Sequence, residues 1–199
     1  MLVRHRMTQN PLTVTPQDTL ATAREKMEAG HCRHLPVVEN DTVVGILTAS
    51  DLRRHEGVQE RTRVVAAMTE NPLSVSPSAP IEEAVRLMLA HKIGGVPVLE
   101  SGKLIGILTA SDVLQAFLDM TGDATEGVVR IDLLQGQESG DLLSASRLIA
   151  EMGGEILGVG TYRDPWSGQP LFYLRVRGVD AGKATATLEE HGYGVLAVH

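Results

Sequence analysis

The chain contains few aromatic residues and almost no cysteine. Phe, Trp and Tyr make up 3% of its 199 residues, so the hydrophobic core has to be built from aliphatic side chains. Proteins that bind single-stranded nucleic acid stack bases on aromatic rings, and this composition does not favour that class. Cys32 is the only cysteine, which excludes an intrachain disulfide and a zinc site built on several thiolates.

A basic surface and long apolar runs are also missing. Lys and Arg number 18 against 25 Asp and Glu, and the formal net charge of −7 opposes binding to a phosphate backbone. No apolar run approaches the length of a membrane span, and the N-terminus lacks the apolar segment of a signal peptide. We therefore expect a cytoplasmic protein with no nucleic-acid partner and no membrane partner.

What the chain does contain is an internal repeat. The string GILTASD occurs at Gly45–Asp51 and again at Gly106–Asp112, at an offset of 61 residues. At that offset residues 7–52 align with residues 68–113 without a gap, and 20 of the 46 positions are identical. An ungapped repeat indicates one supersecondary unit used twice and packed as a pseudo-twofold pair.

Each copy predicts the order β-α-β-β-α. In the first copy these elements are an extended piece at 12–16, a helix capped by Asp18 or Thr19 that runs to about Ala29, strands at 34–38 and 43–47, and a closing helix. Ser50 and Ser111 are the predicted N-caps of the two closing helices. The first copy is assigned to residues 7–60 and the second to 61–120.

A different pattern follows the repeats. Residues 121–127 are polar and glycine-rich and are predicted to be a linker. Residues 128–199 then predict strands and helices in the order β-α-β-β-α-β, at 128–134, 141–152, 155–161, 171–177, 181–190 and 193–198. This is the order of a split, ferredoxin-like fold.

The repeated string and its flanking strand, turn and helix signals resemble the tandem CBS-domain pair, or Bateman module, over residues 7–118. The family signature G-[IV]-[IVL]-T-x-x-D is matched in both copies. The segment QGQESGDLLSASRLIAEMGGEIL resembles the loop and first helix of an ACT-type domain. The architecture is similar to the acetoin-utilisation-type CBS-ACT proteins, which implies an α/β (α+β) chain: a CBS-domain pair followed by a ferredoxin-like, ACT-type domain.

The resemblance implies that Asp51 and Asp112 accept hydrogen bonds from the ribose hydroxyls of an adenine nucleotide. A carboxylate has two oxygens and suits a vicinal diol. The residue type alone is equally typical of a helix cap that binds nothing. Hydroxyls and backbone N–H groups at a helix start favour phosphate, and the resemblance places four hydroxyl residues there: Thr48, Ser50, Thr109 and Ser111.

The two copies differ before the second strand, where Arg33-His34 in the first corresponds to Gly94-Gly95 in the second. By analogy with the family this pair faces phosphate, so we predict unequal clefts. The stronger phosphate cleft is predicted to combine Asp51, Ser50, Thr48, Arg33 and His34 with an adenine wall at Ser76, Pro77 and Ala79. The other cleft is predicted to set Asp112, Ser111 and Thr109 opposite Thr15, Pro16 and Asp18, and to take a less charged ligand or none.

Other chemistry has weaker support in the sequence. The run His31-Cys32-Arg33-His34 holds three candidate metal ligands, but Arg33 opposes a cation and strand alternation would separate the histidines; no metal is expected. There is no nucleophile elbow, P-loop or HExxH motif, so no enzyme is expected. Trp166 lies in a predicted turn and is either a loop tip or a contact for a partner chain.

These features predict a non-catalytic regulatory protein, a homodimer by family resemblance, that senses AMP, ADP or ATP between its CBS repeats and requires no cofactor. The resemblance also suggests an amino-acid ligand in the ACT-like part, near Gln135, Gly136, Ser139 and Gly140. The alternatives are a structural or dimerisation module and a regulatory subunit that acts in trans on a metabolic enzyme. S-adenosylmethionine shares the ribose and adenine, so the motif does not choose among adenosine compounds.

Overall fold

The computed structural model describes residues 1–121, 127–134 and 141–199, and the chain forms two compact units, Met1–Ala116 and Phe117–His199. The predicted linker falls largely on residues 122–126, outside the described residues. The boundary between the units, after Ala116, lies inside a helix that runs on to Thr121. It comes four residues before the predicted domain boundary at 120.

The first unit contains the two repeats. The first repeat comprises a 3₁₀ turn and five elements: Val3–His5, β1 (Thr8–Gln9), α1 (Leu20–Ala29), β2 (His34–Glu39), β3 (Thr42–Thr48) and α2 (Ala49–Arg54). The second repeat has the same order: Val64–Ala66, β4 (Thr69–Glu70), α3 (Ile81–His91), β5 (Gly95–Glu100), β6 (Lys103–Thr109) and α4 (Ala110–Thr121). The predicted helices and paired strands of both copies are therefore confirmed.

Local chemistry explains where the long helices begin and which face they bury. The Thr19 side chain accepts a hydrogen bond from the Thr22 backbone N–H and caps α1. Pro80 occupies the N-cap position of α3, with φ −59° and ψ 143°, and makes no side-chain cap bond. The buried residues of each helix recur at helical spacing: Leu20, Ala23 and Met27 in α1, and Ile81, Ala84 and Met88 in α3. The two helices lie in two separate aliphatic cores, and each core also contains a valine from the 3₁₀ turn of the other repeat, Val64 with α1 and Val3 with α3.

The first strand of each repeat pairs with the sheet of the other repeat. β1 pairs antiparallel with β6, and β4 pairs antiparallel with β3, so the two sheets have the orders β1-β6-β5 and β2-β3-β4. Close approach explains the glycine that opens each GILTASD string. A Cβ atom on Gly45 would lie 3.2 Å from the Thr69 carbonyl oxygen, and one on Gly106 would lie 3.0 Å from the Thr8 oxygen.

The predicted extended piece at 12–16 is not a strand in the structure. Only Val14 forms a bridge, parallel to Val37, through Val14 N to Pro36 O at 3.2 Å and Val38 N to Val14 O at 2.9 Å. Pro11 and Pro16 flank this point and have no N–H to donate, so the ladder cannot extend. The pairing strand lies earlier instead, at Thr8–Gln9.

The second unit has the order β7 (Val128–Leu134), α5 (Leu142–Glu151), β8 (Glu155–Arg163), β9 (Pro170–Arg177), α6 (Ala181–Glu190) and β10 (Val195–Val198). All strand pairs are antiparallel, in the order β10-β7-β9-β8. Alternate residues of the strands join the helices in one core: Ile131, Leu133, Phe172, Leu174 and Val176 with Ala145, Ile149, Ala184 and Leu188. The element order predicted for this region is confirmed.

Candidate functional site

A cavity of about 700 Å³ lies between the two repeats of the first unit, a volume typical of small-ligand sites. The first repeat contributes the end of β3 and the start of α2, which carry Thr48, Ser50 and Asp51, together with Arg33 and His34. The second repeat contributes two segments, Asn71–Leu73 and His91–Gly95. The five residues predicted for the stronger phosphate cleft all line this cavity.

The Asp51 carboxylate is fixed by a capping box. Its Oδ2 accepts from the Thr48 backbone N–H at 2.9 Å and from Thr48 Oγ1 at 2.6 Å, while Thr48 Oγ1 also accepts from the Asp51 N–H at 3.4 Å. The N-cap of α2 is therefore Thr48, and the prediction of Ser50 was wrong. The TxxD spacing of the string explains this, because it places the aspartate three residues after the cap.

One arginine of α2 contacts this carboxylate and another lines the same cavity. Asp51 is only 7% exposed, and its Oδ1 lies 3.1 Å from Nη1 of Arg54. Arg53 points elsewhere in the same cavity, where its Nη2 donates to Ser50 Oγ at 2.7 Å. Neither arginine was predicted from the motif, although both follow the TASD string after Leu52 and belong to α2.

His34 lies at the centre of the interface between the repeats. Burial lowers the pKa of its imidazole below the usual 6.5, the neighbouring Arg33 lowers it further, and Asp51 acts in the opposite direction. Arg33 and His34 line the cavity of Asp51 and also a second cavity. The predicted phosphate pair is therefore shared by both cavities, whereas the sequence assigned it to one.

The second cavity has a volume of about 480 Å³ and is related to the first by the repeat. Thr109, Ser111 and Asp112 line it from the second repeat, and Asp112 Oδ2 accepts from Thr109 N and Thr109 Oγ1, both at 2.7 Å. Its opposite wall is the segment Asn10–Leu12, which corresponds to Asn71–Leu73 of the first cavity.

The residues predicted as opposite walls do not line these cavities. Ser76, Pro77 and Ala79 are held elsewhere: Pro77 and Ala79 accept backbone hydrogen bonds from Arg4 and Val3 at 3.0 and 2.9 Å. Pro16 and Asp18 are likewise engaged elsewhere, because their carbonyls accept from Val65 N at 3.1 Å and Val64 N at 2.9 Å, and Asp18 Oδ2 accepts from Thr15 N at 2.9 Å. The exchange of β1 and β4 brings the Asn-Pro-Leu segments to the cavities, while the later residues meet the 3₁₀ turn of the other repeat.

Charge distinguishes the two cavities. The cavity of Asp51 is lined by four cationic side chains, Arg33, Arg53, Arg54 and Lys92, together with His34 and His91. The cavity of Asp112 is lined by Arg33, His31 and His34. The positions of Arg53 and Arg54 are taken in the second repeat by Leu114 and Gln115. Fixed positive charge is therefore concentrated in the cavity of Asp51.

Within residues 1–121, 127–134 and 141–199, no group of three His, Cys, Asp or Glu side chains could hold a metal ion. Across the same ranges no helix combines the length and the hydropathy needed to cross a bilayer.

The paired repeats with a capped aspartate at each cavity define the class of the protein. The CBS domain model matches residues 3–57 and 63–119, more than half of the chain, and the chain belongs to the CBS domain family as a tandem pair. A CBS domain-containing protein of Dictyostelium discoideum is 34% identical over 133 residues, or 59% of this chain and 92% of that protein.

Enzymes with CBS domains match over the repeats alone. Inosine-5'-monophosphate dehydrogenase of Korarchaeum cryptofilum is 37% identical over 103 residues, which are 51% of this chain and 21% of the enzyme. The chain thus spans about a fifth of that relative's length.

Solved structures of similar fold cover about three fifths of the chain. An acetoin utilization protein (AcuB) from Vibrio cholerae has a TM-score of 0.55 and 32% identity, covering 61% of this chain and 93% of its own. CBSX2 in complex with AMP has a TM-score of 0.55 and 31% identity, and the match covers 61% of this chain and 98% of CBSX2. The CBS domain pair of protein MJ0100, in complex with 5′-methylthioadenosine and S-adenosyl-L-methionine, has a TM-score of 0.56 and 25% identity, covering 59% and 95%.

Proposed function

We propose that the CBS pair is a regulatory, non-catalytic module that binds an adenine nucleotide of the AMP, ADP or ATP class in the cavity of Asp51. One observation carries this proposal: a buried carboxylate suited to a ribose diol stands in the same cavity as four cationic side chains suited to phosphate. The AMP complex of CBSX2 and the adenosine-type ligands of MJ0100 support the choice of adenosine compounds.

The ligand is expected to lie in the cavity with its ribose at Asp51, its phosphates at the cationic side chains and its adenine ring against the apolar part of the lining. Its ribose hydroxyls would donate to Asp51, and its phosphates would meet Arg33, Arg53, Arg54 and Lys92 beside the hydroxyls of Thr48 and Ser50. The apolar part of the lining suits the adenine ring, and comprises Ile46, Pro72, Leu73 and Ile93. In this proposal Pro72 and Leu73 take the place that the sequence gave to Ser76, Pro77 and Ala79.

The proposed regulatory effect follows from the lining of the cavity. Residues of both repeats meet there, so a bound nucleotide bridges the repeats and favours the arrangement in which both sets of contacts form. The same reasoning predicts weaker or less charged binding in the cavity of Asp112, where Thr109 and Ser111 are present but the two arginines of α2 have no cationic counterpart.

We further propose that the second unit is a ferredoxin-like, ACT-type domain. Its β-α-β-β-α-β order and its antiparallel sheet β10-β7-β9-β8 support this. The proposed amino-acid site at Gln135, Gly136, Ser139 and Gly140 lies outside the described residues. A homodimer is proposed as well, because α4 exposes the apolar side chains of Leu114, Phe117 and Leu118.

Calorimetric titration of the whole protein with AMP, ADP, ATP and S-adenosylmethionine tests the nucleotide proposal. Asp51→Asn keeps the size of the side chain and a hydrogen-bond acceptor but removes the negative charge, and Asp112→Asn is the matched control in the other repeat. We expect Asp51→Asn to weaken nucleotide binding about tenfold or more, and Asp112→Asn to have a smaller effect. If no adenosine compound binds the wild type, the sensor proposal fails and a purely structural, dimerising role is favoured.

A further inference from the structure

Both oxygens of the Asp51 carboxylate are already engaged in the structure. Oδ2 accepts two hydrogen bonds from Thr48 within the capping box, and this arrangement is built into the start of α2. Oδ1 accepts from Nη1 of Arg54 at 3.1 Å. A carboxylate has about four lone-pair sites, so one site on Oδ1 is left. A ribose diol that donates both hydroxyl protons to Asp51 therefore also needs the site held by Arg54, and Arg54 is the partner that can leave without breaking the helix start.

Exposure shows how easily Arg54 can leave. Its side chain is 74% exposed, against 10% for the side chain of Asp51. An ion pair with an exposed partner is weak because water competes for the charge, so a ligand hydroxyl can compete for Oδ1 as well. The guanidinium would still line the cavity together with Arg33, Arg53 and Lys92.

The second repeat lacks this arrangement. The Asp112 carboxylate accepts the same two bonds from Thr109, at 2.7 Å each, but the residue three positions later is Gln115, which is neutral. The cationic partner of the aspartate is therefore a feature of the first cavity and not of the repeated motif.

We propose that Arg54 is a specificity-determining residue that makes the cavity of Asp51 select 5′-phosphorylated nucleosides over unphosphorylated ones. The proposal rests on the proposed function. A nucleoside whose diol takes both sites of Oδ1 removes the anionic partner of Arg54 and leaves four cationic side chains lining one cavity. A nucleoside phosphate takes the same oxygen and supplies a new anion to the released guanidinium, so one ion pair is exchanged for another.

The test compares AMP with adenosine by calorimetry on the whole protein. We expect the wild type to prefer AMP. Arg54→Gln installs the residue of the second repeat; it should weaken AMP about tenfold and strengthen adenosine about threefold, because the diol no longer competes with a cation. Arg53→Gln is the matched control: it removes the same charge from the same cavity but not the partner of Asp51. It should weaken AMP without strengthening adenosine.

Each other result has a defined meaning. If the wild type binds AMP and adenosine equally well, or if Arg54→Gln weakens both alike, the specificity role of Arg54 is overturned and the nucleotide proposal stands. If the wild type binds neither compound, the nucleotide proposal fails and this inference fails with it. Arg54→Lys is a second variant, which keeps the positive charge and loses the forked guanidinium donor. Its preference for AMP over adenosine should fall less than that of Arg54→Gln. An equal fall in the two variants would count against an ion-pair exchange.

Discussion

The imidazole of His34 lies against the backbone of Gly95, so closely that a Cβ atom on Gly95 would be 3.3 Å from Cδ2 of the ring. A Cβ atom on Gly94 would be 3.2 Å from Nε2 of the same ring. Since Gly94 and Gly95 occupy the repeat positions of Arg33 and His34, the two copies are complementary at this point. One repeat supplies the large side chains and the other supplies the room for them.

Gly95→Val is expected to destabilise the protein by about 1–3 kcal/mol, because its methyl groups would enter the space of the imidazole in a closely packed strand. The free energy of unfolding, measured in urea, checks this. In a His34→Ala background the same substitution should cost at least about 0.5 kcal/mol less, since residues in contact are energetically coupled. An unchanged cost in that background would show that His34 is not what excludes the side chain.

The lowered pKa of His34 makes a prediction about pH. The folded protein binds the His34 proton less tightly than the unfolded chain does, because burial and Arg33 lower the folded-state pKa below 6.5. The stability that depends on neutral His34 is fully present above the unfolded value and is lost as the pH falls through the folded value. The difference in unfolding free energy between the wild type and His34→Gln should therefore shrink from pH 7 toward pH 5.

Nuclear magnetic resonance gives the direct measurement. The ring resonance that is absent in His34→Gln belongs to His34, and its titration midpoint should lie below 6.5. A midpoint at or above that value would mean that Asp51 outweighs burial and Arg33, and the stability difference would then not shrink on acidification in this window.

Local patterns in the sequence were sufficient to predict the helices and the paired strands, whereas the residues nearest to Asp51 were assigned to a cleft by the resemblance to the CBS family. Thr48, Ser50 and Asp51 belong to one strand-to-helix junction, and a junction can be predicted from its own residues. The opposite wall could not be predicted in the same way. Asn71–Leu73 reach the cavity only because β4 crosses to β3 of the other repeat, and this pairing of two residues leaves almost no periodic signal.

The roles of Arg53 and Arg54 were missed for a different reason. Two consecutive arginines at the end of a short helix are typical of a solvated face or of an interaction with the helix dipole, and nothing in their spacing indicates a cavity. Only a comparison of the two repeats indicates that these arginines distinguish the two cavities. Leu114 and Gln115 occupy the same positions in the second copy, so a pair of cations present in one copy marks a difference between the two sites.

In the second unit, Asp132 is expected to be the most sensitive polar residue of the sheet. It is 4% exposed, and it accepts from Arg130 Nε at 3.0 Å, from Arg130 Nη2 at 2.8 Å and from the Tyr162 hydroxyl at 2.9 Å. Asp132→Ala leaves these donors without their acceptor and should cost about 2–4 kcal/mol, whereas Tyr162→Phe removes one bond and should cost about 1 kcal/mol.

Near-ultraviolet circular dichroism during denaturation isolates this effect, because all three tyrosines and the only tryptophan lie in the second unit. The midpoint of this transition should fall further in Asp132→Ala than in Tyr162→Phe. Equal shifts for the two variants would indicate that the Arg130 pair adds nothing measurable to the stability of the sheet.

Gly158 and Gly160 of β8 differ in how closely a neighbouring side chain approaches them, so their alanine variants form a matched pair. The ring of Tyr173 covers Gly160 so closely that a Cβ atom there would overlap its edge, whereas a Cβ atom on Gly158 would lie 3.9 Å from Cδ of Arg175, an ordinary contact. Gly160→Ala must therefore displace the Tyr173 ring, over which the Arg130 guanidinium carbon lies at 4.1 Å from the centroid.

We expect Gly160→Ala to destabilise the second unit by about 1–3 kcal/mol, as overpacking does. Gly158→Ala should stabilise it by about 0.4–1 kcal/mol, because alanine restricts the unfolded chain and neither glycine has the positive φ that alanine would strain. Unfolding followed by near-ultraviolet circular dichroism measures both variants, and the native spectrum reports the displacement of the tyrosine ring. If both variants shift the midpoint in the same direction and by the same amount, the Tyr173 ring is not held against Gly160 in solution.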